Sequence, residues 1–231
     1  MSRTRVKICG VTCAEDALAA CEIGVDAIGI IFHPPASRGV SLLTAEQILS
    51  AIPPFVTPVG LFLDSPTANV SSVAARLHLN WLQLHGHETP EQVAELGQYN
   101  IIKAVHVRPD RLQQTLDLWR SAVAKGLPNL RALVLETGWG SAKGGTGIEN
   151  DWQQIREVQM AGGFDGLPPI ILAGGLASST VGGVIEMLRP WAVDVSSGVE
   201  EVRGRKSVER MTAFTKAVRL ADHNCQHVPV T

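Results

Sequence analysis

Short runs rich in β-branched residues alternate with longer stretches of helical period along the whole chain. This alternation limits the fold more than any other feature. Residues 6–9 read as a first strand and 14–23 as the helix behind it. The same pairing continues at 27–32 with a helix opening near Leu43, 56–63 with 68–77, 81–84 with 90–96, and 101–107 with 111–124. Residues 131–136 lead into a Gly-rich loop and a helix from about Asp151; 169–173 precede 178–188, and 192–195 precede 207–220. A helix between successive strands carries the chain back across the sheet, so the strands must run parallel, and eight such units close a barrel. The expected fold class is therefore α/β, a single (β/α)8 TIM barrel over 1–231, with a tail fraying from about Asn224. A doubly wound open sheet is the alternative. Thr89-Pro90-Glu91 marks a helix start with Pro at the first helical position, and Ser178 is a candidate cap for the seventh helix.

Composition narrows the function classes. Hydrophobic residues make up 45% of the chain and charged residues 18%, enough to fill a core of this size. The net charge of −2 and the lack of a basic stripe argue against nucleic acid as a partner. No stretch approaches the roughly 20 apolar residues of a membrane helix, and the start of the chain lacks the apolar region of a signal peptide. Cys9, Cys13, Cys21 and Cys225 have no zinc-like spacing, and a chain of 231 residues does not need disulfide staples. A reducing cytoplasm is the expected compartment. The other histidines, His78, His87, His106, His223 and His227, show no ligand spacing, so no metal site is expected.

In a barrel of this kind, chemistry gathers at the C-terminal ends of the strands. The polar anomalies fall there: Cys9 ends the first strand, His85 follows the fourth, Glu136 ends the sixth and Asp194 lies near the end of the eighth. Side chains alternate along a strand, so Lys7 and Cys9 share one face against Val6 and Ile8. Likewise Gln83 and His85 oppose Leu82 and Leu84, and Glu136 opposes Leu135. The polar set is expected to face the barrel mouth. Glycine-rich stretches follow three strands: Gly144-Gly145-Thr146-Gly147, Gly174-Gly175 and Ser196-Ser197-Gly198. Glycine lets backbone amides approach an anion closely, and barrels often hold phosphate with the loops after strands seven and eight.

These residues spell out a family. Val6-Lys7-Ile8-Cys9-Gly10-Val11-Thr12 with Glu15-Asp16-Ala17 resembles the opening of phosphoribosylanthranilate isomerase, the Amadori isomerase of tryptophan biosynthesis. So do Gln83-Leu84-His85-Gly86, Gly144-Gly145-Thr146-Gly147 with Asp151-Trp152, Ala173-Gly174-Gly175-Leu176, and Val193-Asp194-Val195-Ser196-Ser197-Gly198-Val199-Glu200. The resemblance implies conversion of N-(5-phosphoribosyl)anthranilate to the 1-deoxyribulose 5-phosphate derivative, with no metal or organic cofactor, by a monomer or homodimer. It implies Cys9 as general base, with Lys7 a candidate to activate it; read by position alone, Cys9 is a small buried hydrophobe. It places Glu136 at the general acid, where the family carries an aspartate. A glutamate reaches about one methylene further, and misplacement by about 1 Å can cost on the order of a hundredfold in rate.

By the same resemblance Arg38 meets the anthranilate carboxylate. Asp194 orients the hydroxyl or amine groups of the substrate, or else pairs with a barrel lysine, and His85 lines the pocket or is a satisfied structural histidine. Gly145, Gly174, Gly175, Ser196, Ser197 and Gly198 cradle the phosphate. Ile148-Glu149-Asn150 departs from the family pattern of a lysine, a small polar residue and a phenylalanine. The rival readings are a non-catalytic phosphosugar-binding barrel, motivated by Glu136, and a dual-substrate sugar-phosphate isomerase. The latter usually carries an aspartate where this chain has Cys9.

Overall fold

A computed structural model describes residues 3–33, 36–108, 110–137 and 147–227, with the backbone alone at 147–151 and 226–227. Eight parallel strands close on themselves in sequence order. They are β1 (Arg5–Cys9), β2 (Ala27–Ile31), β3 (Thr57–Phe62), β4 (Trp81–Leu84), β5 (Asn100–His106), β6 (Leu130–Glu136), β7 (Ile170–Ala173) and β8 (Ala192–Val195). The first strand pairs with the last, Lys7 opposite Asp194, so the ring has no free edge. Helices α1 (Ala14–Ile23), α2 (Leu42–Ala51), α3 (Thr67–Arg76), α4 (Pro90–Glu95), α5 (Leu112–Ala124), α6 (Gly147–Met160), α7 (Val181–Leu188) and α8 (Val208–His227) follow their strands in turn. No described helix is long and apolar enough to cross a membrane.

The strand parity expected from sequence divides the core into two layers. Val6 and Ile8, Leu82 and Leu84, Leu133 and Leu135, and Val193 and Val195 point outward into one cluster with the helices. The alternate residues point inward: Val59, Ile102, Ala104, Ala132, Val134, Ile171, Ala173 and Ala192 form a second, smaller cluster inside the ring. Alanine dominates there because eight strands leave little room. Above it, the same inward parity delivers Cys9, Gln83, His106, Glu136 and Asp194.

Local chemistry explains the helix boundaries. Thr89 accepts a hydrogen bond from the Gln92 amide while the Gln92 side chain accepts one from the Thr89 amide, a reciprocal cap with Pro90 behind it. Ser178 does not cap α7; the N-cap is Thr180, whose hydroxyl is taken up in the preceding turn by the Ala177 amide. α6 opens at Gly147, ahead of Asp151, because the glycine and asparagine that weaken the helical pattern there are outweighed by the packed turns that follow, with Trp152 and Ile155 buried. α8 continues past Asn224, where the tail was expected to fray. Ala221 and Cys225 bury one turn apart, and Arg189 Nη1 donates to the Cys225 carbonyl.

A short 3-10 turn (Ser197–Val199) and an antiparallel pair, β9 (Glu200–Val202) with β10 (Arg205–Lys206), follow β8. Strands of three and two residues leave no readable period in a sequence. Phe214 of α8 is fully buried in the outer layer. Phe214→Ala is expected to cost about 3–5 kcal/mol, read as a lower urea midpoint with an unchanged slope.

Candidate active site

A cavity of about 380 Å³ opens at the C-terminal ends of the strands. Cys9, Glu136, Arg38, His85 and Asp194 all line it, as do Gly174, Gly175, Ser196, Ser197 and Gly198. Gly145 lies outside the described residues, together with Gly144 and Thr146. The sequence therefore located the cavity, and what the structure adds is the set of partners each side chain has taken.

Cys9 sits on the inward face of β1 beside Lys7. A Cβ placed on Gly29 of β2 would fall 2.7 Å from Cys9 Sγ and 3.1 Å from Lys7 Nζ, so only glycine leaves room for this pair. Lys7 Nζ lies 2.6 Å from Asp194 Oδ2, with both side chains about 95% buried. Burial pushes the Cys9 thiol up from its ordinary range; the Lys7 ammonium draws it back, while Asp194 pushes it up further. The expected activation of the thiol by Lys7 is thus outweighed by burial, with Asp194 adding to it, and the free thiol stays protonated at neutral pH. Asp194 Oδ1, also buried, has no hydrogen-bond partner among the described residues. Asp194 thus forms the expected ion pair to a barrel lysine, and the residue also lines the cavity.

Glu136 does not pair with Lys7 or Lys103. Lys103 is drawn aside to the carbonyls of Leu84, Gly86 and Ala104 and to the carboxylate of Glu88, 3.0 Å away. Two imidazoles meet Glu136 instead. His85 Nε2 is 3.0 Å from Glu136 Oε2, and His106 Nδ1 is 3.2 Å from the same oxygen. Burial alone would push this carboxyl up; the His106 and His85 imidazoles beside it outweigh burial and hold Glu136 at about 2. His85 is itself oriented from below. Gln83, fully buried, places Nε2 3.0 Å from His85 Nδ1. Donation from that amide makes Nδ1 the acceptor and puts the ring proton on Nε2, facing the carboxylate.

Arg38 is fixed rather than free. Its Nε and Nη2 lie 2.6 and 2.7 Å from the two oxygens of Glu200, a bidentate fork. Glu200 also takes Lys206 Nζ at 2.9 Å, and Lys206 donates to the carbonyls of Cys9 and Ser196. Burial would push the Glu200 carboxyl up, but Arg38 and Lys206 hold it at about 2. The hairpin of β9 and β10 thus ties the end of β1, the loop after β8 and Arg38 into one unit. Of these residues the sequence left His106, Gln83, Glu200 and Lys206 without roles. Period-two alternation along β5, with Ile102, Ala104 and His106 on one face, was the signal available for His106.

The loops after β7 and β8 lie against each other. A Cβ on Gly198 would fall 1.9 Å from the Leu176 carbonyl oxygen, and Gly174, at φ +96°, would clash with the Thr137 backbone at 2.2 Å. These glycines let the main chain of both loops converge on one rim of the cavity, beside the start of the Ser197–Val199 turn.

The model of the N-(5'-phosphoribosyl)anthranilate isomerase family matches residues 6–217. The chain belongs to this isomerase family. A Pseudomonas syringae pv. tomato N-(5'-phosphoribosyl)anthranilate isomerase is 42% identical over 94% of this chain and 98% of its own length. One from Azotobacter vinelandii is 41% identical over 96% of this chain and the whole of its own. Among solved structures, the isomerase from Thermotoga maritima superposes with a TM-score of 0.81 at 33% identity, covering 94% of this chain and 98% of its own. A phosphoribosyl anthranilate isomerase solved in complex with reduced 1-(o-carboxyphenylamino)-1-deoxyribulose 5-phosphate superposes at 0.78, with 33% identity and the same coverage.

In this member of the isomerase family, Glu200 ties stability to acid. Its folded pKa lies below its unfolded value, so its contribution is complete above about 4.5 and fades as pH falls towards about 2. The difference in urea midpoint between wild type and Glu200→Gln is therefore expected to be largest near neutral pH and to shrink as pH is lowered from 4.5.

Proposed function

We propose that the chain is a phosphoribosylanthranilate isomerase of tryptophan biosynthesis, acting on N-(5'-phosphoribosyl)anthranilate with Cys9 as base and Glu136 as the acid centre. The observation that carries this reading is the convergence of a thiol and a carboxylate on one cavity, rimmed by the glycine loops after β7 and β8. The bound ligand of a solved relative, a reduced aminodeoxyribulose phosphate, has the chemistry this cavity would take.

The reaction balances without an external reagent. A proton passes to the ribose ring oxygen, and the C1–O bond breaks to give an open-chain iminium. The iminium acidifies the C2 hydrogen, which leaves to Cys9 Sγ as the electron pair forms the enolamine. Ketonisation then adds a proton at C1 and removes one from the 2-hydroxyl. Held at about 2 in the free protein, Glu136 carries almost no proton at neutral pH, so it must take one up from solvent as substrate binds before passing it to the ring oxygen. Cys9 faces the converse problem, because burial favours its thiol. The positive iminium is a charge of the right sign to draw the thiol down when the base is needed.

Arg38, aligned by Glu200, offers its remaining N–H groups to the anthranilate carboxylate. Asp194 Oδ1 accepts from a substrate hydroxyl or amine, and the amides at Gly174, Gly175, Ser197 and Gly198 seat the phosphate with the Ser196 segment. Four free cysteines suit a cytoplasmic, reducing setting.

The purified protein is expected to quench the fluorescence of phosphoribosylanthranilate. Cys9→Ala should lower kcat by about 10²–10⁴-fold, the range for loss of an acid–base group. Between pH 7 and 9, kcat/KM should rise with the thiolate fraction. A wild-type protein that binds the reduced product without turnover would instead mark a phosphosugar-binding barrel.

A further inference from the structure

His106 touches Glu136 without touching the cavity. It ends β5, is the register partner of Glu136 on β6, and has only 12% of its side chain exposed. Its Nδ1 lies 3.2 Å from Glu136 Oε2, the oxygen that His85 Nε2 meets at 3.0 Å. The two rings stand edge to face, 5.5 Å apart. Glu136 and His85 line the cavity, whereas His106 is absent from its described lining. Among the described contacts, the route from His106 to substrate is the carboxylate of Glu136.

We propose that His106 is a positioning residue for the isomerase reaction, clamping Oε2 of Glu136 jointly with His85 so that Oε1 is held towards the ribose ring oxygen. The inference rests on the isomerase reading and gives the longer carboxylate a fixed seat. A glutamate at a strand end has three rotatable bonds, and ordering such a side chain is costly in entropy. One donor on Oε2 would leave the carboxylate free to swing about that contact. Two imidazole nitrogens within 3.2 Å, one following β4 and one ending β5, fix its direction. Gln83 supports the clamp from below by setting the His85 tautomer. Lys103, the buried lysine of β5, does not compete, because Glu88 and three carbonyls hold it.

The atom in contact makes the test specific. In His106→Asn the amide nitrogen can occupy the place of Nδ1 with a smaller side chain, whereas His106→Leu fills the space without a donor. His106→Leu is expected to lower kcat by about 10–100-fold with KM changed by less than about threefold, the cost of a misplaced catalytic group. His106→Asn is expected to recover most of that loss. In parallel, the Glu136 carboxyl, followed by ¹³C NMR with Glu136→Gln for assignment, should titrate higher in His106→Leu than in wild type and return downward in His106→Asn. Full kcat in His106→Leu, an equal loss in both variants, a rise in KM with kcat unchanged, or an unmoved carboxyl titration would each overturn the clamp. An inactive wild type whose Glu136 titration still responds to His106 would overturn the isomerase reading and leave the clamp standing.

Discussion

Closure of β1 against β8 is the constraint on which the rest depends. Once Lys7 is registered opposite Asp194, the direction of every inward side chain in the ring is set by period-two alternation. The bottom of the ring is filled by small and branched apolar residues, and its top receives the polar ones. The Lys7–Asp194 pair lies on the closing seam, nearly out of reach of water. Removing either partner would leave an uncompensated buried charge, which is far more costly than never having buried the pair. The seam and the chemistry are thus the same residues, because Cys9 sits one inward position above Lys7.

A second consequence is that three described acidic groups at and behind the mouth are taken up by the protein's own bases. Asp194 has Lys7, Glu136 has His85 and His106, and Glu200 has Arg38 and Lys206. These pairings fix geometry before substrate arrives, which is where much of the advantage of a preorganised site lies. They also set the protonation of the free protein against the reaction, with a carboxylate that is ionised and a thiol that is not. Substrate binding must therefore do electrostatic work, and for the thiol the cationic intermediate is the species equipped to do it.

Much of this was legible in the sequence because a barrel repeats one rule. Strand parity placed Cys9, His85, Glu136 and Asp194 on the inner face, and the glycine pairs fell in the loops that follow strands. Three things were not legible. Opposite charge would point to a lysine as the partner of Glu136, yet Lys103 is held by carbonyls that no sequence pattern shows. His106 was sorted with the histidines by metal spacing, although its place at the end of β5 carried the information. Glu200 and Lys206 act through a hairpin too short to have a period, so the fork on Arg38 emerged only in three dimensions.

The account turns on a thiol and a carboxylate meeting one phosphosugar from opposite sides. A crystal structure of this chain with reduced 1-(o-carboxyphenylamino)-1-deoxyribulose 5-phosphate measures that directly. The account predicts Cys9 Sγ within about 3.5 Å of C2 and a Glu136 oxygen within about 3 Å of the former ring oxygen, with the phosphate on the amides of the loops after β7 and β8. A ligand seated with its phosphate elsewhere, or with C2 turned away from Cys9, would contradict it.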